Sequence, residues 1–351
     1  MAELLQQLQS LTHDAKVNQL LGMFLGHALG EALGAPFEFQ SITTFSGKLE
    51  LPYRSVSRFQ GTRIGVVGQV TDDTEMTLAL LHALIKDQSY QTANVVANYQ
   101  AWANNGHLCL ANGTVDRIVG CKTPGMGKNT RALLQGVTTI TGYQSRMKKT
   151  FPTAEAMEAA QSNGSLMRCL PLLLLPPDIQ KTDCCLTNPS SVNIECNTSY
   201  LSLLKQLLAK VPVGDIYGNV YTQLQAPILR QTFELLGQGK HPNYHETRGW
   251  VVHAWSLAMI AADQSHYAEW MKWLLTTFPR SDTDTVAAIS GAVIGLKLGL
   301  SGLLAEPETR DGLLVMLTSD SNQGQLVRPK SLHPINYLQL VPTYCNIFYK
   351  P

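Results

Sequence analysis

The chain has 351 residues, room for one large or two ordinary domains, and 44% of them are hydrophobic, enough for a sizeable core. Its 27 Lys and Arg balance 26 Asp and Glu for a net charge of +1, so the composition gives no reason to expect a nucleic-acid partner, which usually shows as excess or clustered positive charge. Seven cysteines with no C-x-x-C pair exclude zinc-ribbon and thioredoxin-like readings and fit free thiols in a reducing compartment.

The N-terminal stretch MAELLQQLQSLTHDAKVNQLL lacks the basic start and apolar core of a signal peptide. The longest purely aliphatic run, Leu172–Leu175, is too short to span a bilayer. The expectation is a soluble cytoplasmic protein with no membrane partner. Gly22, Gly26, Gly30 and Gly34 then share one helical face. Glycine costs about 1 kcal/mol against alanine inside a helix, so a whole stripe predicts close backbone packing. LPYRSVSRF (51–59) and RIGVVGQV (63–70) are the two stretches that could pass as strands.

VTDDTEMTLALLHALI (70–85) follows, with Leu78, Leu81, Leu84 and Ile85 on one helical face. Asp72 and Glu75 match a capping box, and negative charge is favoured at a helix N-terminus. Two adjacent carboxylates also suit a cation, and this stretch alone leaves both readings open. GMGKNT (125–130) looks like a phosphate loop, but Lys122 stands where its first glycine belongs and Asn129 follows the lysine. LSLLKQLLAKV from 202, APILRQTFELLGQG (226–239), WVVHAWSLAMIAA (250–262) and YAEWMKWLLTTF (267–278) are further helices. This periodicity predicts an all-α fold in one domain over 1–351, less regular from about Leu303.

PRSDTDTVAAISGAVIGLKLGL (279–300) repeats the acidic helix start with Ser281, Asp282, Thr283, Asp284 and Thr285, and carries a second glycine stripe at Gly291, Gly295 and Gly299. One cap residue would serve each helix. Paired carboxylates at both repel unless a cation lies between them. Oxygen ligands alone indicate Mg²⁺, Mn²⁺ or Ca²⁺. An EF-hand is excluded, since counting from Asp282 puts Ala287 and Val293 where its glycine and glutamate belong. Four carboxylates from two helix ends suit a pair of divalent ions, roughly 3.5–4 Å apart in such sites, provided the two clusters meet in space.

Four blocks, GMFLGHALGEALGAPFEF (22–39), GQVTDDTEMTLAL (68–80), SNGSLMRCLPL (162–172) and SDTDTVAAISGAVIGLKLG (281–299), resemble the ADP-ribosylglycohydrolase family, with PGMGKNTRALLQG (124–136) a weaker fifth. The likeness runs over roughly residues 18–300. It implies an all-α orthogonal bundle with two Mg²⁺ (or Mn²⁺) ions in a cleft. The metal ligands it implies are Thr71, Asp72, Asp73, Asp282, Asp284 and Thr285, with Asp73 polarising the attacking water and Glu38 over the active site. Ser162, Asn163, Gly164, Ser165 and Met167 would line the ADP-ribose cleft. Arg168 would pair with a carboxylate or phosphate, or form a buried salt bridge under the loop. Gly125 and Gly127 would border the substrate or simply turn the chain.

Three positions depart from the family pattern: Glu31 for its aspartate, Arg280-Ser281 for a glycine pair, and Asn188 for a histidine that would hold the nucleotide. The activity implied is magnesium-dependent release of ADP-ribose from a protein arginine or serine, or from a related ADP-ribosyl small molecule. The alternative is a non-catalytic ADP-ribose binder or a structural member, as the J1 crystallins of the eye lens are. A nucleotide-sugar transferase with a D-x-D metal site would call for an α/β fold, which the helical periodicity opposes.

Overall fold

A computed structural model describes residues 1–38, 45, 47–51, 67–118, 125–319 and 329–349. The N-terminal half contains α1 (Ala2–Ser10), α2 (Ala15–Gly34), α3 (Asp72–Asp87), α4 (Thr92–Ala103), α5 (Lys128–Leu134), α6 (Ile140–Thr150) and α7 (Ala154–Glu158). Then come α8 (Pro177–Cys185), α9 (Ser191–Leu208), α10 (Val213–Gln223), α11 (Pro227–Gly237), α12 (Val251–Ala261) and α13 (Tyr267–Thr277). The chain closes with α14 (Thr283–Ala305), α15 (Pro307–Thr318) and α16 (Tyr337–Phe348). The fold is all-α. Among the described residues the sheet is one hairpin, β1 (His107–Cys109) antiparallel to β2 (Val115–Arg117), too short for alternation to betray it. Of the two expected strands, residues 52–66 lie outside the described residues.

The two glycine stripes lie on α2 and α14, which run antiparallel through the centre. A Cβ on Gly22 would strike the carbonyl of Gly295, one on Gly26 would stand 2.5 Å from the Gly291 carbonyl, and one on Gly34 would stand 2.5 Å from the Thr283 carbonyl. The backbones therefore touch where other pairs of helices are spaced by side chains. Both helices are long and apolar enough by length and composition to cross a membrane, yet 89% and 78% of their apolar windows are buried inside the protein. Gly299 keeps its place against Gly22 but leaves helical geometry. Its φ of 68° breaks α14, and Asn18 fits against the break, its Oδ1 accepting from Ser301 N at 2.8 Å.

The segment after Leu303 is more regular than expected, with α15 and α16 both well formed. Pro342 inside α16 obscures its helical signal. Phe24 of α2 packs on Tyr337 and Tyr344 of α16, with ring centroids 5.1 and 6.3 Å apart. One consequence of the glycine contact positions the site. The C-terminal end of α2, carrying Glu31 and leading to Glu38, lies flush against the first turn of α14, with its Asp282-Thr283-Asp284.

Candidate active site

The two acidic helix starts meet. Thr285 Oγ1 donates to Asp73 Oδ2 at 3.3 Å, and Asn163 Nδ2 donates to Asp282 Oδ2 at 2.6 Å. Two acid triads result, Glu31 with Asp72 and Asp73, and Glu38 with Asp282 and Asp284; within each, carboxylate oxygens lie within 4.8 Å of one another. Asp73 Oδ1 is buried with no hydrogen-bond partner. Burial, reinforced by the surrounding carboxylates, pushes Asp72 and Asp73 well above the ordinary carboxylate range. Asp282 is raised to about 7 by burial first and by Asp284 second, against the opposing Asn163 hydrogen bond.

The capping-box expectation for α3 is corrected. Thr71, not Asp72, is the N-cap residue, and its own side chain makes no capping bond. Glu75 does not reach back, since its Oε2 accepts from the Trp102 indole N–H at 2.7 Å. The cap comes from α2. Glu31 accepts from Thr71 N (2.5 Å), Thr71 Oγ1 (2.6 Å) and Thr74 N (3.1 Å).

A cleft of about 270 Å³ opens on this centre. Its acidic side is Glu38, Asp72, Asp282, Asp284 and Thr285, and Gly125, Gly127, Ser162, Asn163, Gly164 and Met167 face it. Gly125 is required twice over. Its φ is +87°, and a Cβ there would collide with Asp72 Oδ1. The larger cavity near Lys16, Lys205 and Phe348, about 770 Å³, holds none of these acids.

Thr71 and Asp73 sit within the acid cluster behind the cleft wall. Ser165, Arg168 and Asn188 are buried and do not line the cleft, so the expected ligand contacts are replaced by a scaffold. Arg168 Nε lies 3.3 Å from Asp183 Oδ1, and its other nitrogens donate to Gly164 O (2.6 Å), Thr187 Oγ1 (2.8 Å) and Asp183 O (3.0 Å). Asn188 Nδ2 donates to Ser162 O (3.0 Å) and Oγ (2.9 Å), and Ser165 Oγ accepts from Asn197 Nδ2 at 3.0 Å. A tight turn among apolar helices must find partners for its buried polar groups, and these side chains supply them.

Lys128, Thr130, Arg248 and Gly249 also line the cleft. Lys128 had a trace in the sequence, as the lysine of the failed phosphate loop. Arg248 had none. It reaches the cleft because the loop before α12 bridges to the Ser162 turn, with Asn163 N donating to Gly249 O and Val251 N to Gln161 O, both at 2.9 Å. Arg280, where the family pattern has glycine, adopts φ +73°, a conformation glycine takes without strain, and does not line the cleft.

The sequence model of the family described as ADP-ribosylglycohydrolase matches residues 12–319. The ADP-ribosyl-[dinitrogen reductase] glycohydrolase of Rhodospirillum rubrum is 31% identical over 167 residues, a match that spans 47% of either chain. A protein of Acanthamoeba polyphaga mimivirus, named as a candidate ADP-ribosyl glycohydrolase, is 24% identical over 302 residues, covering 77% of this chain and 84% of its own. A solved structure titled ADP-ribosylglycohydrolase-related protein complex shares the fold, with a TM-score of 0.59 and 23% identity over 85% of this chain and 95% of the other.

Proposed function

This chain belongs to the ADP-ribosylglycohydrolase family, a class of hydrolases, and on that premise we propose that it releases ADP-ribose from a modified arginine or serine side chain, or from a related ADP-ribosyl compound. Two Mg²⁺ ions, or Mn²⁺, are the cofactors of this reading. The observation that carries it is the junction of Asp73 with Thr285, which joins two acid triads at the base of one cleft.

The residues fit such a metal. All donors are oxygens, the buried Asp73 Oδ1 has no other partner, and the carboxylates raise one another's pKa values. Thr71, Asp72 and Asp73 would hold it from α3, and Asp282, Asp284 and Thr285 from α14. When bound, such a metal would supply a Lewis acid and lower the pKa of a water.

Asp73 would take a proton from the attacking water as the water's oxygen bonds to the anomeric carbon. The glycosidic C–N or C–O bond breaks, and its electron pair leaves with the guanidine nitrogen or serine oxygen, which takes up the proton that Asp73 accepted. The glycines at 125, 127 and 164 let backbone approach phosphate closely. Lys128 and Arg248 bring two positive charges to a cleft whose other charged residues are carboxylates, matching a pyrophosphate. Free thiols at Cys109, Cys169, Cys184, Cys185, Cys196 and Cys345 support a reducing, cytoplasmic setting.

The test is release of free ADP-ribose from two peptides, one modified on arginine and one on serine, with Mg²⁺ or EDTA, beside Asp73→Asn. Magnesium-dependent release from one peptide, lost in the variant, is the expected result and names the linkage. No release from either peptide, with ADP-ribose still bound by calorimetry, would move the assignment to a binding role.

A further inference from the structure

We propose that Glu31 is a positioning residue whose capping of α3 from outside that helix keeps the Asp73 carboxylate and the Thr71 lone pairs available for a divalent cation. The inference rests on the metal reading of the site above and assigns this residue a separate task.

A helix N-terminus presents N–H groups that need acceptors, and the usual acceptor is a short polar side chain at the N-cap. A start written Thr-Asp-Asp-Thr offers several. If an aspartate of the first turn served as the cap, its oxygens would be occupied by amides. Here the Thr71 and Thr74 N–H groups both go to Glu31. The Thr71 hydroxyl donates its single proton to the same carboxylate, which leaves its lone pairs for a metal. Glu31 Oε1 receives two donors and Oε2 a third, so three of the carboxylate's accepting sites serve this cap. Asp73 Oδ1, by contrast, is buried and unpartnered.

Glu31 can reach α3 because α2 lies flush on α14. A Cβ at Gly30 would collide with the Ala287 carbonyl, and Gly34 rests on the Thr283–Asp284 backbone. Glu31 itself is fully buried, so its position is not adjustable by solvent. Glutamine at this position would offer one accepting oxygen where two are used, and would turn an N–H₂ group toward a donor.

The experiment measures Mn²⁺ binding by calorimetry on the full chain without substrate, for wild type, Glu31→Gln and Glu31→Asp, and the same pair of measurements for Glu31→Gln in a Thr71→Val background. Glu31→Gln is expected to weaken Mn²⁺ by about 10–100-fold, as loss of a partner behind a ligand does. Glu31→Asp, which keeps two accepting oxygens, recovers much of that loss, and Glu31→Gln costs markedly less once the Thr71 hydroxyl is absent. Wild-type Mn²⁺ affinity in Glu31→Gln, with only its melting temperature lowered, would overturn the proposal and leave Glu31 a structural cap. If Glu31→Gln does not fold, hydrogen exchange of the metal-free wild type decides. Protected Thr71 and Thr74 amides support the proposal, and unprotected ones overturn it. A wild type that binds no Mn²⁺ overturns both this inference and the metal reading, whereas a wild type that binds Mn²⁺ with this dependence but releases no ADP-ribose overturns only the proposed activity.

Discussion

Thr285 Oγ1 and Asp73 Oδ2 are hydrogen-bonded although 212 residues separate them. The bond joins the first turns of α14 and α3, so the positive ends of two helix dipoles face one cluster of carboxylates. Two half-dipoles do not offset this many acids, and a divalent cation would. Three of the following predictions concern how the chain holds that charge and the substrate beside it, and two concern the scaffold.

Stabilisation by metal should grow with pH. In the metal-free protein the folded-state pKa of Asp282 is raised from 3.8 to about 7, and those of Asp72 and Asp73 are also raised. The folded state then holds protons that the unfolded state has released, so these groups cost stability as pH rises from 3.8 through about 7. A cation needs the carboxylates ionised and reverses that cost. His27, lowered to about 4 by burial, acts oppositely, losing stability as pH falls from 6.5 toward 4. It does so with or without metal, and the difference between the two conditions removes it. Melting curves with and without saturating Mg²⁺ should show a larger gain at pH 8 than at pH 5.5. A gain independent of pH would contradict the carboxylate assignment.

Gly125→Ala should fold and lose metal. The substitution places a Cβ against Asp72 Oδ1 and imposes alanine on φ +87°, a strain of about 1–2 kcal/mol confined to a cleft loop. Mn²⁺ affinity is expected to fall while the circular-dichroism spectrum is preserved. Unchanged affinity would show that the loop can withdraw from Asp72.

Gly22→Ala should destabilise the protein by about 3 kcal/mol, because the new methyl meets the Gly295 carbonyl and the Gly299 backbone, neither of which is a flexible side chain. Gly218→Ala in α10, where no atom lies within 4 Å of the added Cβ, should instead stabilise by up to about 1 kcal/mol through helix propensity alone. Urea unfolding of the two variants checks the opposite signs.

Arg168→Met should cost about 3–5 kcal/mol, since it strands the buried Asp183 carboxylate without its cation. It also removes the donor to Gly164 O, so the Ser162–Ser165 turn loses a tie to the scaffold. Adding Asp183→Leu should recover part of the stability without restoring that tie. Chemical denaturation gives the first quantity, and ADP-ribose affinity in the double variant gives the second.

Arg248→Ala should raise KM for an ADP-ribosyl substrate about tenfold, equivalent to ~1.4 kcal/mol, and leave kcat within a few-fold. Arg248 is exposed, lines the cleft and is not part of the acid cluster. Steady-state kinetics on a substrate with and without its pyrophosphate separates this role from a loss of loop structure, which would affect both.

Apolar residues at helical spacing predicted α3, α9, α11, α12 and α13, because a helix that buries a face, or as in α12 nearly its whole surface, leaves that signature in local sequence. The glycine stripes predicted close backbone packing of α2 and α14, since spacing alone puts the glycines of each on one face, but that each helix is the other's partner is decided by the tertiary structure. The acidic pairs at Thr71–Asp73 and Asp282–Thr285 were legible, through their duplication, as groups that would share one site if they met, and they do meet. Other assignments were decided only in three dimensions. Asp72 and Glu75 spell a cap by themselves, but a carboxylate on α2 lies nearer to the amides, and burial leaves it no better partner. Arg168 reads from the sequence either as an anion ligand or as a buried salt bridge under the glycine turn, and Asp183 and Tyr99, which enclose it, select the second. Arg248 enters the cleft through a bridge between loops far apart in sequence. Local sequence sets which groups can bond, while the partner each one takes depends on which chain segments tertiary packing brings within about 3 Å.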